Sequence, residues 1–251
     1  MKKRGQITIF VILGIVIVAL IVLAIALRRE IIVPTQRTDI DSSMVKLRNH
    51  VENCMRNSGE NYIEKIALQG GYLTPGEGSY RLWNDTPVSY LCYNQLNSNI
   101  CTNRLLTLET METQLAEVIK QDLITCIDLS PFENDYTVQT TGEMDMDVEI
   151  LQSRVLLQLK YTITLKRDEE QRTAKIYNVG IDKPLGELYD VSMDIIDAYT
   201  SIGNFDTLTY MLSKIGRYTI YLNKPYPDEV YMIKLRENPF KFQMAVQGEA
   251  R

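Results

Sequence analysis

Four cysteines, one histidine and a row of alternating carboxylates are the residues of this chain whose types and spacing could do chemistry. Cys54, Cys92, Cys101 and Cys126 lie 38, 9 and 25 residues apart and include no C-x-x-C pair. With a single histidine in the chain, a structural zinc site lacks ligands. An even number of cysteines suits two disulfides, among three connectivities, with four buried thiols as the other state. Cys54 and Cys126 each end an apolar helical stripe, which favours 54–126 and 92–101. The first bridge would close a loop of about 73 residues and stabilise by roughly 4 kcal/mol through chain entropy.

His50 precedes Cys54 by four residues, which puts both on one helix face. A Cys-His nucleophile or a metal clip needs that proximity, but a disulfide would consume the thiol and no second histidine completes a site. His50 is therefore expected to be a partly exposed helix histidine. Glu143, Asp145, Asp147 and Glu149 alternate with Met144, Met146, Val148 and Ile150. A straight strand does not wrap a calcium ion, and Lys160 and Lys166 on the next strand explain the acidic row by cross-strand pairing. No G-x-S-x-G, phosphate loop, dinucleotide fingerprint or H-E-x-x-H occurs. The expectation is a non-enzymatic protein without catalytic residues, cofactor or metal. Asn84-Asp85-Thr86 has the form of a glycosylation acceptor, with Pro87 directly after it. Fifteen tyrosines against one tryptophan and five phenylalanines lean towards a contact surface, since Tyr offers apolar area and a hydroxyl at small entropic cost.

The elements that position these residues read as follows. Met44, Leu47, Val51 and Cys54 have helical spacing, with Asp41–Ser43 as N-caps and Gly59 as a stop. A shorter helix through Ile63 and Ile66 ends at Gly70-Gly71. Strands near 80–83 and 88–93 flank a turn at 84–87. A helix from about Leu108 to Ile127 carries Met111, Leu115, Ile119, Leu123 and Cys126 on one stripe. Period-two alternation marks strands at 143–150 and 157–166, and Asp168-Glu169-Glu170 turns the chain into a third near 174–181. A helix from Asp182 and Pro184 to Gly203 points Leu188, Val191, Ile195, Tyr199 and Ile202 inward. Another runs from Thr207 to Ile215, and strands near 218–222, 230–235 and 240–246 close the chain. Segregated helices and antiparallel strands predict an α+β fold.

The first thirty residues, MKKRGQITIFVILGIVIVALIVLAIALRRE, stand apart. Ile7 to Leu27 is 21 residues without a charge, about 31 Å as a helix and enough for a bilayer core of about 30 Å. Lys2, Lys3 and Arg4 before it favour a cytoplasmic N-terminus. The expectation is a single-pass cell-membrane protein with an extracytoplasmic C-terminal domain and the lipid bilayer as a partner. A removed secretory leader, ending at the small-x-small Ala24-Ile25-Ala26, is another outcome.

Residues 2–10, KKRGQITIF, resemble the class III signal peptide of archaeal type IV pilin-like proteins: a short basic stretch ends in Gly, Gln follows, and a long apolar segment begins at once. The resemblance implies cleavage by a prepilin-type peptidase between Gly5 and Gln6, with Gln6 as the new N-terminus. It also implies other pilin-like subunits or surface proteins as partners. Thr8 and Phe10 occupy the third and fifth mature positions, where related chains often carry Ser and an acidic residue. An uncleaved signal anchor that holds a ligand or another envelope protein is the alternative.

Of 27 basic residues five lie in or beside this segment, so residues 30–251 carry 22 basic against 32 acidic residues, a net charge of −10. Such a domain repels phosphate backbones, which excludes a nucleic-acid role. The expected organisation is a leader and transmembrane helix at 1–30, a linker at 31–41, a helical cysteine-bearing half at 42–130 and a β-rich α+β half at 131–251. The chain is thus expected to be an α+β ectodomain on one N-terminal transmembrane helix, with a structural or adhesive role.

Overall fold

The computed structural model describes residues 14–23, 37–94 and 101–248, and the chain divides into two units, Met1–Ser43 and Met44–Arg251. In the first unit α1 covers residues 14–23, each of them exposed. Among the described residues no helix is long and apolar enough to cross a membrane. This corrects the expected transmembrane helix, and with it the single-pass placement in the cell membrane. The remainder of 7–27, together with Gly5 and Gln6, lies outside the described residues.

Next, α2 runs from Arg37 to Leu68 without interruption, where the sequence predicted a linker to residue 41 and a stop at Gly59. Gly59 serves packing instead: a Cβ there would lie 2.6 Å from both Leu157 Cδ1 and Ile181 Cδ1, so its absence lets the helix backbone approach the sheet beneath. The helix ends where two glycines take positive φ, 72° at Gly70 and 87° at Gly71, and Gly71 N closes on Ile66 O at 2.8 Å.

From Met44 onward the unit is α+β. After α2 come β1 (Tyr80–Trp83), β2 (Thr86–Tyr93), β3 (Thr102–Asn103), α3 (Leu108–Cys126) and the one-turn α4 (Ser130–Glu133). Then follow β4 (Thr137–Ile150), β5 (Val155–Arg167), β6 (Glu170–Ile181), α5 (Leu185–Ile202), α6 (Thr207–Ser213), β7 (Tyr218–Asn223), β8 (Glu229–Leu235) and β9 (Phe242–Val246). One sheet is the antiparallel meander β4-β5-β6. The other has the order β1-β2-β9-β8-β7, with β3 on β2. All its pairs are antiparallel except β2 with β9, which is parallel.

The meander realises the alternation seen in the sequence. Leu157, Leu159, Ile163 and Leu165 are buried along β5, where Leu159 lies opposite Met146 of β4 and Tyr177 of β6, and Leu157 opposite Val179. On the wet face Lys160 Nζ reaches Asp145 at 3.3 Å and Asp147 at 2.5 Å, while Lys166 lies opposite Thr137. Along β6, α2 donates to two carbonyls: Arg48 Nη1 to Ile176 O at 2.9 Å and Arg56 Nη1 to Gly180 O at 3.1 Å. Guanidinium groups thereby block an edge that could otherwise recruit another strand.

Leu188, Val191, Ile195 and Tyr199 of α5 are buried as the periodicity predicts, but Ile202 is 79% exposed. Gly203 caps the helix in the left-handed region, so Ile202 falls on its last, uncovered turn. Helix α6 stops at Ser213 rather than Ile215, because Ile215 and Gly216 take φ values of 53° and 67°.

Two expected outcomes follow. Gly59→Leu should lower the urea midpoint by the equivalent of about 2–3 kcal/mol through overpacking against Leu157 and Ile181, despite its gain in helix propensity; an unchanged midpoint would mean Gly59 is a helix break with room to spare. Replacing Cys54 and Cys126 together by serine should cost about 4 kcal/mol by loop entropy, read as a lower midpoint with a steeper slope, because the unfolded chain without the cross-link exposes more surface. A loss below about 1 kcal/mol would remove the bridge from the stability account.

Candidate binding cleft

The structure joins Cys54 to Cys126 and Cys92 to Cys101, the pairing that the two apolar stripes favour, and no cysteine is free. His50 sits half-buried on α2 one turn before Cys54, with its Nε2 buried and without a hydrogen-bond partner among the described residues. The neighbouring thiol is bonded, so no Cys-His pair forms. Among the described residues no group of three or more His, Cys, Asp or Glu side chains is placed to hold a metal. Asn84 is exposed. Both Asn84 (φ 48°) and Asp85 (φ 62°) are left-handed, which makes them the two-residue turn of the β1–β2 hairpin. The expected four-residue turn is thus shorter, with Thr86 and Pro87 already paired to Trp83 and Leu82.

The residues with the most developed polar geometry lie elsewhere. Where β2 and β9 run parallel, Cys92 faces Val246, so the chain leaves both strands in the same direction and Asn94 meets Gln247. Gln247 N donates to Cys92 O at 3.0 Å. Asn94 N donates to Gln247 Oε1 at 3.0 Å, and Asn94 Nδ2 to Gln247 O at 2.6 Å. Beside them opens a cleft of about 270 Å³, bounded on the far side by Tyr199, Gly203 and Asn204 at the end of α5 and by Pro227 and Glu229 before β8. The Cys92–Cys101 bridge and Val246 form its apolar part.

Glu229 organises the far wall. Tyr199 OH donates to Glu229 Oε2, and Lys224 Nζ lies 2.7 Å from Glu229 Oε1. Because the one Tyr199 proton goes to the carboxylate, the 2.6 Å contact between Tyr199 and Tyr231 takes its proton from Tyr231. The two rings meet edge to face at 6.1 Å. Burial, reinforced by the Glu229 hydrogen bond, pushes the Tyr199 hydroxyl far above the ordinary phenol range, and burial raises Tyr231 likewise. Both phenols stay neutral and act as hydrogen-bonding groups.

Asp228 braces the rim. It is 1% exposed and accepts from Tyr90 OH at 2.7 Å, Arg81 Nη1 at 3.2 Å and Gly248 N at 3.2 Å. One buried carboxylate thus ties β1, β2 and the chain after β9 to the connection before β8, with charge-assisted bonds to meet its desolvation. Gly248 belongs to this close approach: a Cβ there would lie 1.7 Å from Pro227 O.

Sequence reasoning placed Tyr199 on the inward stripe of its helix and did not single out Glu229, Asn94, Asn204 or Gln247. No local pattern could have found them, since Asn94 and Gln247 are 153 residues apart and meet only through the parallel pairing. With its thiols bridged and its carboxylate already hydrogen-bonded, the cleft is equipped to hold a small polar molecule.

A pH dependence follows from the phenols. A folded-state pKa raised above the ordinary value of 10.0 gives stability that is complete below about pH 10 and is lost as pH rises towards the folded value. Tyr199→Phe should therefore cost about 1–2 kcal/mol near neutrality and show a shallower loss of urea midpoint between about pH 9 and 11 than the parent. Equal alkaline slopes would separate Tyr199 from this effect. Comparison with protein-family models, with curated proteins and with solved structures returned no match, so the functional reading rests on the chemistry of the chain itself.

Proposed function

We propose that this protein is a non-enzymatic, pilin-like interaction subunit whose uncharged N-terminal helix associates with other pilin-like subunits while its disulfide-tied α+β unit meets partners. The observation that carries this reading is α1. Ile15, Val16, Ile17, Val18, Leu20, Ile21, Val22 and Leu23 are each 48–64% exposed, and the helix has no polar face to turn to water. A helix apolar all round calls for cover by other apolar surface. The KKRGQITIF stretch supports the same reading, because cutting at Gly5 would remove Lys2, Lys3 and Arg4 and leave an uncharged segment to pack. Two disulfides suit an oxidising compartment. A second reading, a ligand-holding module that is neither processed nor polymerised, is favoured by the cleft beside Glu229 and Gln247.

Mass spectrometry of the N-terminus tests the first reading. With an active archaeal prepilin peptidase the chain should lose five residues and begin at Gln6, Gly5→Asp should block the cut, and the processed chain should co-sediment with pilin-like subunits. Because Phe10 stands where related chains carry an acidic residue, abundant filaments of this chain alone are not expected. An N-terminus that stays at Met1 beside active peptidase supports the second reading, and one at Leu27 contradicts both.

A further inference from the structure

We infer that the cleft between the β2–β9 ends and the end of α5 is a subsite for a neutral polyhydroxylated ring, a single sugar residue of a glycan. The inference deepens the interaction role proposed above and rests on it only in assigning the ligand to a partner surface. Volume sets the first limit: about 270 Å³ falls just under the roughly 300–1,000 Å³ of sites for drug-sized ligands, so one ring-sized group fits and an extended chain does not.

Charge sets the second. Among the described residues that line the cleft there is no Lys, Arg or His, so a phosphate or carboxylate would meet none of these cations there and would face Glu229. The Glu229 carboxylate is itself held by Lys224 and Tyr199, so a cationic ligand would have to displace an ion pair already made. A neutral occupant meets neither obstacle.

Hydrogen-bonding capacity sets the third. Gln247 is 3% exposed. Its Oε1 is taken by Asn94 N, which leaves its Nε2 as a donor with no acceptor among the described residues. Asn94 donates through N and Nδ2 and retains Oδ1 as an acceptor. Asn204 adds an exposed amide with both functions. This wall presents donors and acceptors side by side. A hydroxyl is the small neutral group that both donates and accepts, and a ring bearing several adjacent hydroxyls matches a wall of alternating amides. Val246 and the Cys92–Cys101 bridge supply apolar contact for the C–H face of such a ring.

The test uses the full chain and the methyl glycosides of glucose, galactose, mannose and N-acetylglucosamine, followed by ligand-observed NMR and calorimetry. A single ring of about a dozen heavy atoms should bind with a Kd on the order of 1–10 mM. Asn204→Ala, on the surface, should weaken it at least fivefold without moving the thermal midpoint, and Gln247→Met should weaken it tenfold or more. Absence of binding by all four glycosides at about 50 mM overturns the inference, as does binding that both variants leave unchanged. N-acetyl-trialanine amide is the competing probe: if it binds and the glycosides do not, the cleft reads peptide and the sugar assignment is wrong. Processing at Gly5 is read separately, so failure there leaves these outcomes distinguishable.

Discussion

Tyr90 lies opposite Ala245 and Cys92 opposite Val246 in a parallel pair whose strands are separated by most of the second unit. Closing so long a loop costs chain entropy that the pair itself does not recover, so its neighbourhood must supply the stabilisation. Val88, Tyr90, Val230 and Ala245 pack into one core there, with Trp83 and Tyr93 against it. The buried Asp228 then fixes three chain segments at one point. The sheet order, the adjacent exits of β2 and β9 and the shape of the cleft all depend on this contact.

The meander β4-β5-β6 is governed by a different constraint, the near approach of α2. Its strands are long, with one irregularity in each pairing, and Gly59 allows the helix to lie close enough for Arg48 and Arg56 to reach carbonyls of β6. Arg48 also lies 5.3 Å from the Tyr177 ring centroid, where cation–π attraction adds to the hydrogen bond. The Cys54–Cys126 bridge fastens the same helix to the end of α3. Edge protection and packing share one face of α2, and the covalent restraint at Cys54 holds it from another. In the first turn of α5, Glu187 is lowered in pKa chiefly by its hydrogen bonds from Arg217, with Tyr218 adding to them, so this mostly buried carboxylate remains ionised in the fold.

These constraints place function at the margins of the fold. The interior of the meander is filled by apolar side chains, and its exposed carboxylates are neutralised in part by Lys160. At the β2–β9 exit the backbone departs from the ladder, and amide groups of Asn94 and Gln247 replace strand partners. Polar side chains there remain able to bond to something else. The first unit shows the opposite situation, an apolar helix with no cover in the chain described.

Local pattern determined a good deal by itself. The period-two alternation of residues 143–150 and 157–160, the stripe through Met111, Leu115, Ile119 and Leu123, and the cap at Gly203 are set by side chains a few residues apart, and each is found in the structure, whereas past the register shift after Lys160 the alternation breaks and Thr164 is buried. The two cysteine pairs were legible because Cys54 and Cys126 end such stripes. Tertiary structure decided the rest. Gly59 reads as a break in isolation, yet it sits inside a 32-residue helix because Leu157 and Ile181 occupy the space its side chain would fill. An uncharged run of 21 residues reads as a membrane span, yet among the described residues no helix is long and apolar enough to cross a membrane, since hydropathy reports the solvent a segment prefers and does not by itself set the structure it adopts. The cleft had no local signature at all. Its residues come from separate segments, and only the parallel register of β2 with β9, stabilised by apolar burial and the Asp228 bonds, brings them within hydrogen-bonding distance.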